Sequence, residues 1–365
     1  MSPGASSSAA TVHGEDRTAV VVAVDCNGSD LGPAEVAAGA AMAAAEGAHV
    51  ILFGPAEEVG EAREGVEVVD APVSIAKASD PVGAVRSTPE ASIVQAARAV
   101  ADGRAQALVC AGGTGAALAA GTFNIKRARG IYRPALALPL PVPRHPVTLL
   151  DVGANVEARR EHLLQFAFMG AALSHAVLGV ERPRVGLLSN GEEASRGSAL
   201  VVDVHAELVQ RVATGLDAFE FVGNVEGDEV LDGRADVIVT DGFTGNVALK
   251  LIEGVSQTML GAIRAAASSS PRGMLGGMLL RGSLRPLGRE IDPESSGGAY
   301  LLGLRSLGVI PHGRFTRVGF ARAILRAERG AREDLVGQTQ LALEDAGALR
   351  QPPLSAPAAS LRETG

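Results

Sequence analysis

The chain has 365 residues, with 33 Lys plus Arg against 41 Asp plus Glu, a formal net charge of −8. That balance excludes a generally basic nucleic-acid binder, so an anion site has to come from local charge. Apolar residues at 47% and charged residues at 20% give a globular composition that can bury a large core. Residues 1–17 and 346–365 read as disordered tails, Ser/Ala-rich at the start and Pro/Ser/Ala-rich at the end. Between them, 18–345 reads as one α/β domain. Strands are expected over 18–25, 49–54, 66–71, 105–111, 147–153, 184–190, 219–225 and 235–242. Helices such as 34–46, 90–102, 161–178, 198–213 and 246–266 separate them. Most of the strands are continuous Val/Ile/Leu runs, as in strands covered on both faces. The fold class expected is therefore α/β: a doubly wound, mostly parallel sheet with helices on both faces, a Rossmann-like three-layer sandwich.

Six of these strands end in small polar loops: Asp25–Gly28, Ala111–Gly115, Asp151–Asn155, Asn190–Glu193, Asn224–Gly227 and Asp241–Asn246. Any one of them can be a tight turn. Together they predict a shared ligand crevice, because the carboxyl ends of parallel strands meet along one edge. The Gly112-Gly113-Thr114-Gly115 loop offers backbone N–H groups to an anion. It is neither a dinucleotide fingerprint, since Leu118 stands where the third Gly belongs, nor a Walker A loop. No Asp or Glu occurs between Asp102 and Asp151, so the carboxylate that would hold a ribose is missing. The same stretch holds Arg104, Lys126, Arg127, Arg129, Arg133 and Arg144, which predicts docking of an acidic partner or of phosphate groups, or else a solvated face.

Residues 246–285 read as helix, break, helix, with a protruding amphipathic hairpin over about 255–290. Val247, Leu251, Val255, Met259 and Ile263 recur every four residues. Ser268-Ser269-Ser270-Pro271 interrupts them, and Met274, Leu275, Met278, Leu279 and Leu280 follow, with Arg272, Arg281, Arg285 and Arg289 around them. Such a face suits an anionic lipid surface, a dimer interface or a lid over an acyl chain. No apolar run reaches the roughly 18 residues of a bilayer span and no signal peptide opens the chain, so a cytoplasmic protein is expected.

Long ordered motifs carry a family resemblance. They are Asp151-Val-Gly-Ala-Asn-Val-Glu with Arg159, Glu161-His162-Leu163, Gln165-Phe166 and Met169-Gly170; Pro183-Arg-Val-Gly-Leu-Leu188 with Gly191-Glu-Glu193; Phe221-Val-Gly-Asn-Val-Glu-Gly227; and the run from Ala235 to Lys250 with Glu253-Gly254. Over about residues 18–335 the chain resembles the PlsX-type phosphate acyltransferases of bacterial phospholipid synthesis. The resemblance implies that acyl–[acyl carrier protein] and inorganic phosphate give acyl phosphate and free carrier protein. It also implies a homodimer, no metal or other cofactor, no nucleic-acid partner, and peripheral contact with an anionic membrane at its inner face. Acyl-coenzyme A as donor, and a non-catalytic paralogue that binds carrier protein or membrane, are the alternatives. A nicotinamide-dependent dehydrogenase is disfavoured by the broken glycine pattern.

The implied chemistry needs no covalent nucleophile, because phosphate attacks the thioester itself. It needs a cationic, amide-lined pocket and close positioning. The candidate catalytic residues are His162, Lys250, Asn246 and Asp241. Candidate phosphate or substrate contacts are Gly112, Thr114, Gly115, Asn155, Arg159, Asn190, Glu192, Arg196, Asn224 and His312. Lys126, Arg127, Arg129 and Arg133 are expected to dock the carrier protein. His162 is equally readable as a packed histidine, Lys250 as a helix-face lysine, and Asp241 as a turn residue. Cys26 and Cys110 read as buried thiols. The chain departs from the family pattern at Gly113, where Asn is usual, at Asn27-Gly28-Ser29, at Arg160, and at Arg314-Phe315.

Overall fold

The computed structural model describes residues 19–350, apart from 62, 143, 144, 216 and 291. The expected N-terminal tail, residues 351–365 and Arg144 lie outside the described residues, as do the side chains of Arg281 and Arg289. The first half contains β1 (Val21–Asp25), α1 (Pro33–Ala45), β2 (His49–Gly54), α2 (Ala56–Val59), β3 (Val66–Asp70), α3 (Pro81–Ser87), α4 (Ser92–Ala101), β4 (Ala107–Cys110), α5 (Thr114–Ala120) and, after one π-helical turn over Gly121–Ile125, β5 (Ala135–Leu140). Then come β6 (Val147–Leu150), α6 (Arg160–Leu178), β7 (Arg184–Leu188), α7 (Ala199–Ala213), β8 (Glu220–Val225) and β9 (Val237–Val239). The remainder is α8 (Gly242–Ser268), α9 (Pro271–Glu290), a 3-10 turn at Pro293–Ser296, β10 (Ala299–Leu302), β11 (Leu307–Ile310), α10 (Arg317–Arg332) and α11 (Leu335–Asp345).

The strands form one sheet in the order β3-β2-β1-β4-β11-β10-β5-β6-β9-β7-β8. Alternate side chains go to opposite layers. Val22 and Val24 of β1 join one cluster with Val36 and Ala40 of α1 and Phe320 and Ile324 of α10. Ala23 joins the other with Ile93 and Ala97 of α4. Strands covered in this way must be apolar on both faces, as the sequence shows. Helix α6 is buried along almost its whole length, from His162 to Ser174, and is apolar on nearly every side for that reason.

Strand direction divides the loops of the expected crevice into two groups. β1, β2, β3, β4 and β11 are parallel, but β10 is antiparallel to β11 and to β5, and β5 is antiparallel to β6. β6, β9, β7 and β8 are parallel to one another and so run opposite to β1 and β4. The loops after β1 and β4 therefore follow strands of one sense, and the loops after β6, β7, β8 and β9 follow strands of the other. The reversal lies in β5, β10 and β11, none of which was expected from sequence. β10 and β11 have four residues each, and β5 contains Pro139, a residue that argues against an inner strand. Pro139 is accommodated because β10 pairs only with Ala135, Leu136 and Ala137.

Helices α8 and α9 form the hairpin, with the break between Ser268 and Pro271. α8 begins earlier than the expected hairpin and runs unbroken for 27 residues. Its body-facing residues Ala248, Leu249 and Ile252 lie in the first three turns. Beyond them, Val255, Met259, Ile263, Met274, Leu275, Met278, Leu279 and Leu280 are all exposed. No described helix is long and apolar enough to cross a membrane. At the other end, the start of the expected C-terminal tail is held in place. Arg350 N donates to Gly130 O at 2.8 Å, and Ala348 O accepts from Gln165 at 2.9 Å.

Candidate active site

The floor of the site is the loop after β6. Asp151 is 0% exposed, and five donors surround its carboxylate. Oδ1 accepts from Leu136 N, Gly153 N and Ala154 N at 3.0, 3.1 and 3.0 Å. Oδ2 accepts from Asn155 N and Asn155 Nδ2, both at 2.8 Å. Burial pushes this carboxyl above its ordinary pKa, and the donors pull against that shift. The loop after β9 interlocks with it. Gly242 N donates to Asn155 O at 2.7 Å, and a Cβ on Gly245 would lie 2.0 Å from Asp151 O, so only glycine fits there.

On this floor several expected ligand groups are engaged by the fold. Both amide hydrogens of Asn155 have protein acceptors, Asp151 Oδ2 and Pro134 O, each at 2.8 Å. Asn246 Nδ2 donates to Val152 O at 3.2 Å. Asp241 caps α8, accepting from Thr244 N and from Thr244 Oγ1, both at 2.8 Å. Lys250 is exposed and meets Glu253 at 3.3 Å.

The wall is the start of α6. Arg159 is its N-cap residue, and Arg159 N donates to His162 Nδ1 at 3.2 Å. That bond fixes the proton on Nε2. Among the described residues Nε2 has no hydrogen-bond partner, although His162 as a whole is only 7% exposed. The imidazole lies between Tyr132 and Phe166, at ring separations of 6.1 and 6.4 Å. Burial is the main cause that pushes its pKa down, the Arg133 and Arg159 charges act the same way, and Glu161 opposes them. His162 is accordingly neutral at pH 7, with a free N–H beside two cations and a helix N-terminus. Tyr132 and Arg133 reach this wall because antiparallel pairing sets the start of β5 beside the end of β6. The sequence reading missed that adjacency; the signal available was an aromatic-Arg-Pro triplet just before an apolar run.

Asn190, Glu192 and Arg196 lie on the loop after β7, and Asn224 is near the end of β8, two strands parallel to β6 in the ladder. Asn190 is exposed. Asn224 Nδ2 donates to Glu193 O at 2.8 Å and also approaches Gly191 O and Arg196 O at 3.3 and 3.4 Å, so it shapes the 191–196 loop from within. Glu192 pairs with Arg234 at 2.8 Å and Arg196 with Glu193 at 3.5 Å.

Gly112, Thr114, Gly115 and His312 lie on the loops after β4 and β11. Thr114 and His312 are exposed, and His312 Nδ1 accepts from Arg314 N at 3.2 Å. Beneath them Asp25, 2% exposed, accepts from Ser92 Oγ at 2.6 Å and from the Cys110 thiol at 3.4 Å. Burial pushes the Asp25 carboxyl and the Cys110 thiol up, and the Asp25 charge raises Cys110 further. A Cβ on Gly28 would lie 2.2 Å from Ala111 O, so the β1 and β4 loops touch through backbone alone. Lys126, Arg127, Arg129 and Arg133 are all exposed; Lys126 adopts φ 70°, and Arg127 reaches Tyr132 O.

The family described as "fatty acid synthesis protein" matches residues 20–337 of the chain. A phosphate acyltransferase of Desulforudis audaxviator is 42% identical over 320 residues, covering 87% of this chain and 94% of that protein. One from Gloeobacter violaceus is 41% identical over 333 residues, covering 89% and 95%. Among solved structures, the EutD phosphotransacetylase from Staphylococcus aureus shares the fold, with a TM-score of 0.57 at 17% identity over 86% of this chain and 94% of that one. A phosphotransacetylase from Streptococcus pyogenes does so with a TM-score of 0.58 at 16% identity, over 86% and 94%. The match over most of its length makes this chain a member of the PlsX family of phosphate acyltransferases, an acyltransferase built on an α/β sheet.

Proposed function

We propose that the chain transfers an acyl group from acyl–[acyl carrier protein] to inorganic phosphate, supplying acyl phosphate for phospholipid synthesis. The observation that carries this reading is the neutral His162, with a free Nε2–H beside Arg159, on a chain of this family. A phosphate oxygen attacks the thioester carbon, the C–S bond breaks, and the thiolate leaves. Hydrogen phosphate brings one proton and the departing thiol takes one, so the reaction balances with no other reactant. His162 is placed in this scheme to donate its Nε2–H as a hydrogen bond that holds the phosphate, while the proton of hydrogen phosphate passes to the departing sulfur. Arg159 and the first N–H groups of α6 neutralise the phosphate and orient it.

In the same reading Lys126, Arg127 and Arg129 receive the acidic carrier protein, with Arg305 beside them through its N–H on Lys126 O at 3.0 Å. The exposed apolar faces of α8 and α9, with Arg264, Arg272 and Arg285, meet a second copy or an anionic leaflet on the cytoplasmic side. The deciding assay uses palmitoyl–acyl carrier protein with and without phosphate, following free thiol and trapping acyl phosphate with hydroxylamine. Phosphate-dependent thiol release matched by trapped acyl groups is expected. Release from palmitoyl-coenzyme A alone moves the donor assignment to coenzyme A. A folded protein that binds the carrier without turnover refutes the catalytic reading.

A further inference from the structure

The positive stretch before β5 is not one surface. Lys126, Arg127 and Arg129 precede the turn at Gly130–Tyr132, and Arg133 follows it. Gln165, 1% exposed, clamps that turn to α6: its Nε2 donates to Gly130 O at 2.8 Å and its Oε1 accepts from Tyr132 N at 2.9 Å. On the far side of Arg133, Pro134 O accepts from Asn155 Nδ2 at 2.8 Å. Arg133 is thus fixed on both sides by the segment that carries Arg159 and His162. Among the described residues neither Arg133 nor Arg159 has a carboxylate within 4.0 Å. Arg159 caps this helix N-terminus and Arg133 follows Tyr132, whose ring is 6.1 Å from that of His162, so a bound anion here would offset two positive charges. A third observation points to the same spot: the Nε2–H of His162, a donor on a side chain more than nine-tenths buried and without a partner. The Arg133 charge is felt there, since it holds the His162 pKa down together with Arg159, against Glu161 and after the larger effect of burial.

We infer that Arg133, Arg159 and the Nε2–H of His162 form a binding site for a phosphate group, so that Arg133 contacts substrate and does not dock the carrier protein. The anion's identity as substrate rests on the acyl-transfer reading above; the site itself is tested without turnover. Inorganic phosphate is titrated into the full chain carrying 15N-histidine, at constant ionic strength with chloride as the control, and the His162 ring signals are followed. A saturable shift is expected in the wild type and not with chloride. Arg133→Ala should weaken it at least about tenfold, as expected for loss of a charge-assisted pair. Arg133→Lys, which keeps the charge but not the fork, should fall between, and carries the test if the alanine variant does not fold. Arg129→Ala should bind phosphate as the wild type does.

No saturable shift in the wild type overturns the inference. So does phosphate binding by a folded Arg133→Ala protein equal to that of the wild type, or equal weakening in Arg129→Ala. In steady-state assays the inference requires a raised KM for phosphate with an unchanged KM for the carrier; the reverse split returns Arg133 to the docking face and overturns it. Phosphate binding at His162 without thiol release from any acyl donor refutes acyl transfer and leaves the site standing.

Discussion

Gln165 Nε2 donates to Gly130 O at 2.8 Å, one turn beyond His162 on the same helix. This bond, with the Gln165–Tyr132 contact at 2.9 Å and the Gln165–Ala348 contact at 2.9 Å, gathers three segments distant in sequence around the wall of the site. Gln165→Leu keeps the volume and leaves three backbone groups without a side-chain partner. A loss of about 2–4 kcal/mol in urea unfolding is expected, with a raised KM for phosphate. Stability and KM equal to the wild type would show that the clamp is dispensable.

His162 gives a pH signature. Its folded pKa lies below the ordinary 6.5 because burial disfavours the imidazolium. The unfolded chain therefore binds the proton first as pH falls, so stability drops from about pH 6.5 down to the folded pKa and is level below it. Above pH 6.5 this contribution is flat. His162→Gln should remove that part of the slope and lower kcat by about 100-fold at pH 7.5. Phosphate-dependent turnover that survives this substitution intact would remove His162 from the phosphate-positioning role.

The floor of the site is predicted to be intolerant. Asp151→Asn replaces an acceptor surrounded by five donors with a group that brings two hydrogens of its own, and a cost of about 3–5 kcal/mol is expected. Gly245→Ala sets a methyl 2.0 Å from Asp151 O and should be at least as damaging. Thermal unfolding of both variants within about 2 °C of the wild type would refute this account of the floor.

The two thiols should be inert in the native protein. Cys26 donates to Phe53 O at 3.2 Å and Cys110 to Gly112 O at 2.7 Å, and burial raises both pKa values. Reaction with a disulfide reagent at pH 8 should be at least about 100-fold slower folded than unfolded. Rapid labelling of either would contradict the buried geometry, and would also disturb any thiol-release assay on this protein.

The hairpin is expected to be covered in the cell. Met278→Asp with Leu279→Asp, both on exposed residues, should reduce flotation with anionic vesicles by at least about tenfold. Sedimentation of the same variant reads the dimer. Unchanged vesicle binding together with an unchanged oligomer would show that this face has no partner.

The continuous apolar runs of β1, β2, β4, β6 and β7 were legible because strands covered on both faces must be built that way. β10 and β11 were hidden by their length and β5 by Pro139, and with them went the reversal of strand direction between β4 and β6. The motif around Asp151 and His162 was legible as a site, but the roles of its amides were not. Asn155 and Asn224 looked like donors for a ligand because a sequence does not show which carbonyls lie within reach of an amide. Arg133 looked like one more basic surface residue because only the β5–β6 pairing brings it beside His162.

The first turn of α8 has two duties, and they limit what can be exchanged. Residues 241–246 interlock with the Asp151 loop, and the same helix continues out to the hairpin tip. A graft that transplants the hairpin from a relative must therefore join after Ile252, the last residue of α8 packed against the body's core. A junction placed at the visible start of the helix would rebuild the floor of the active site along with it.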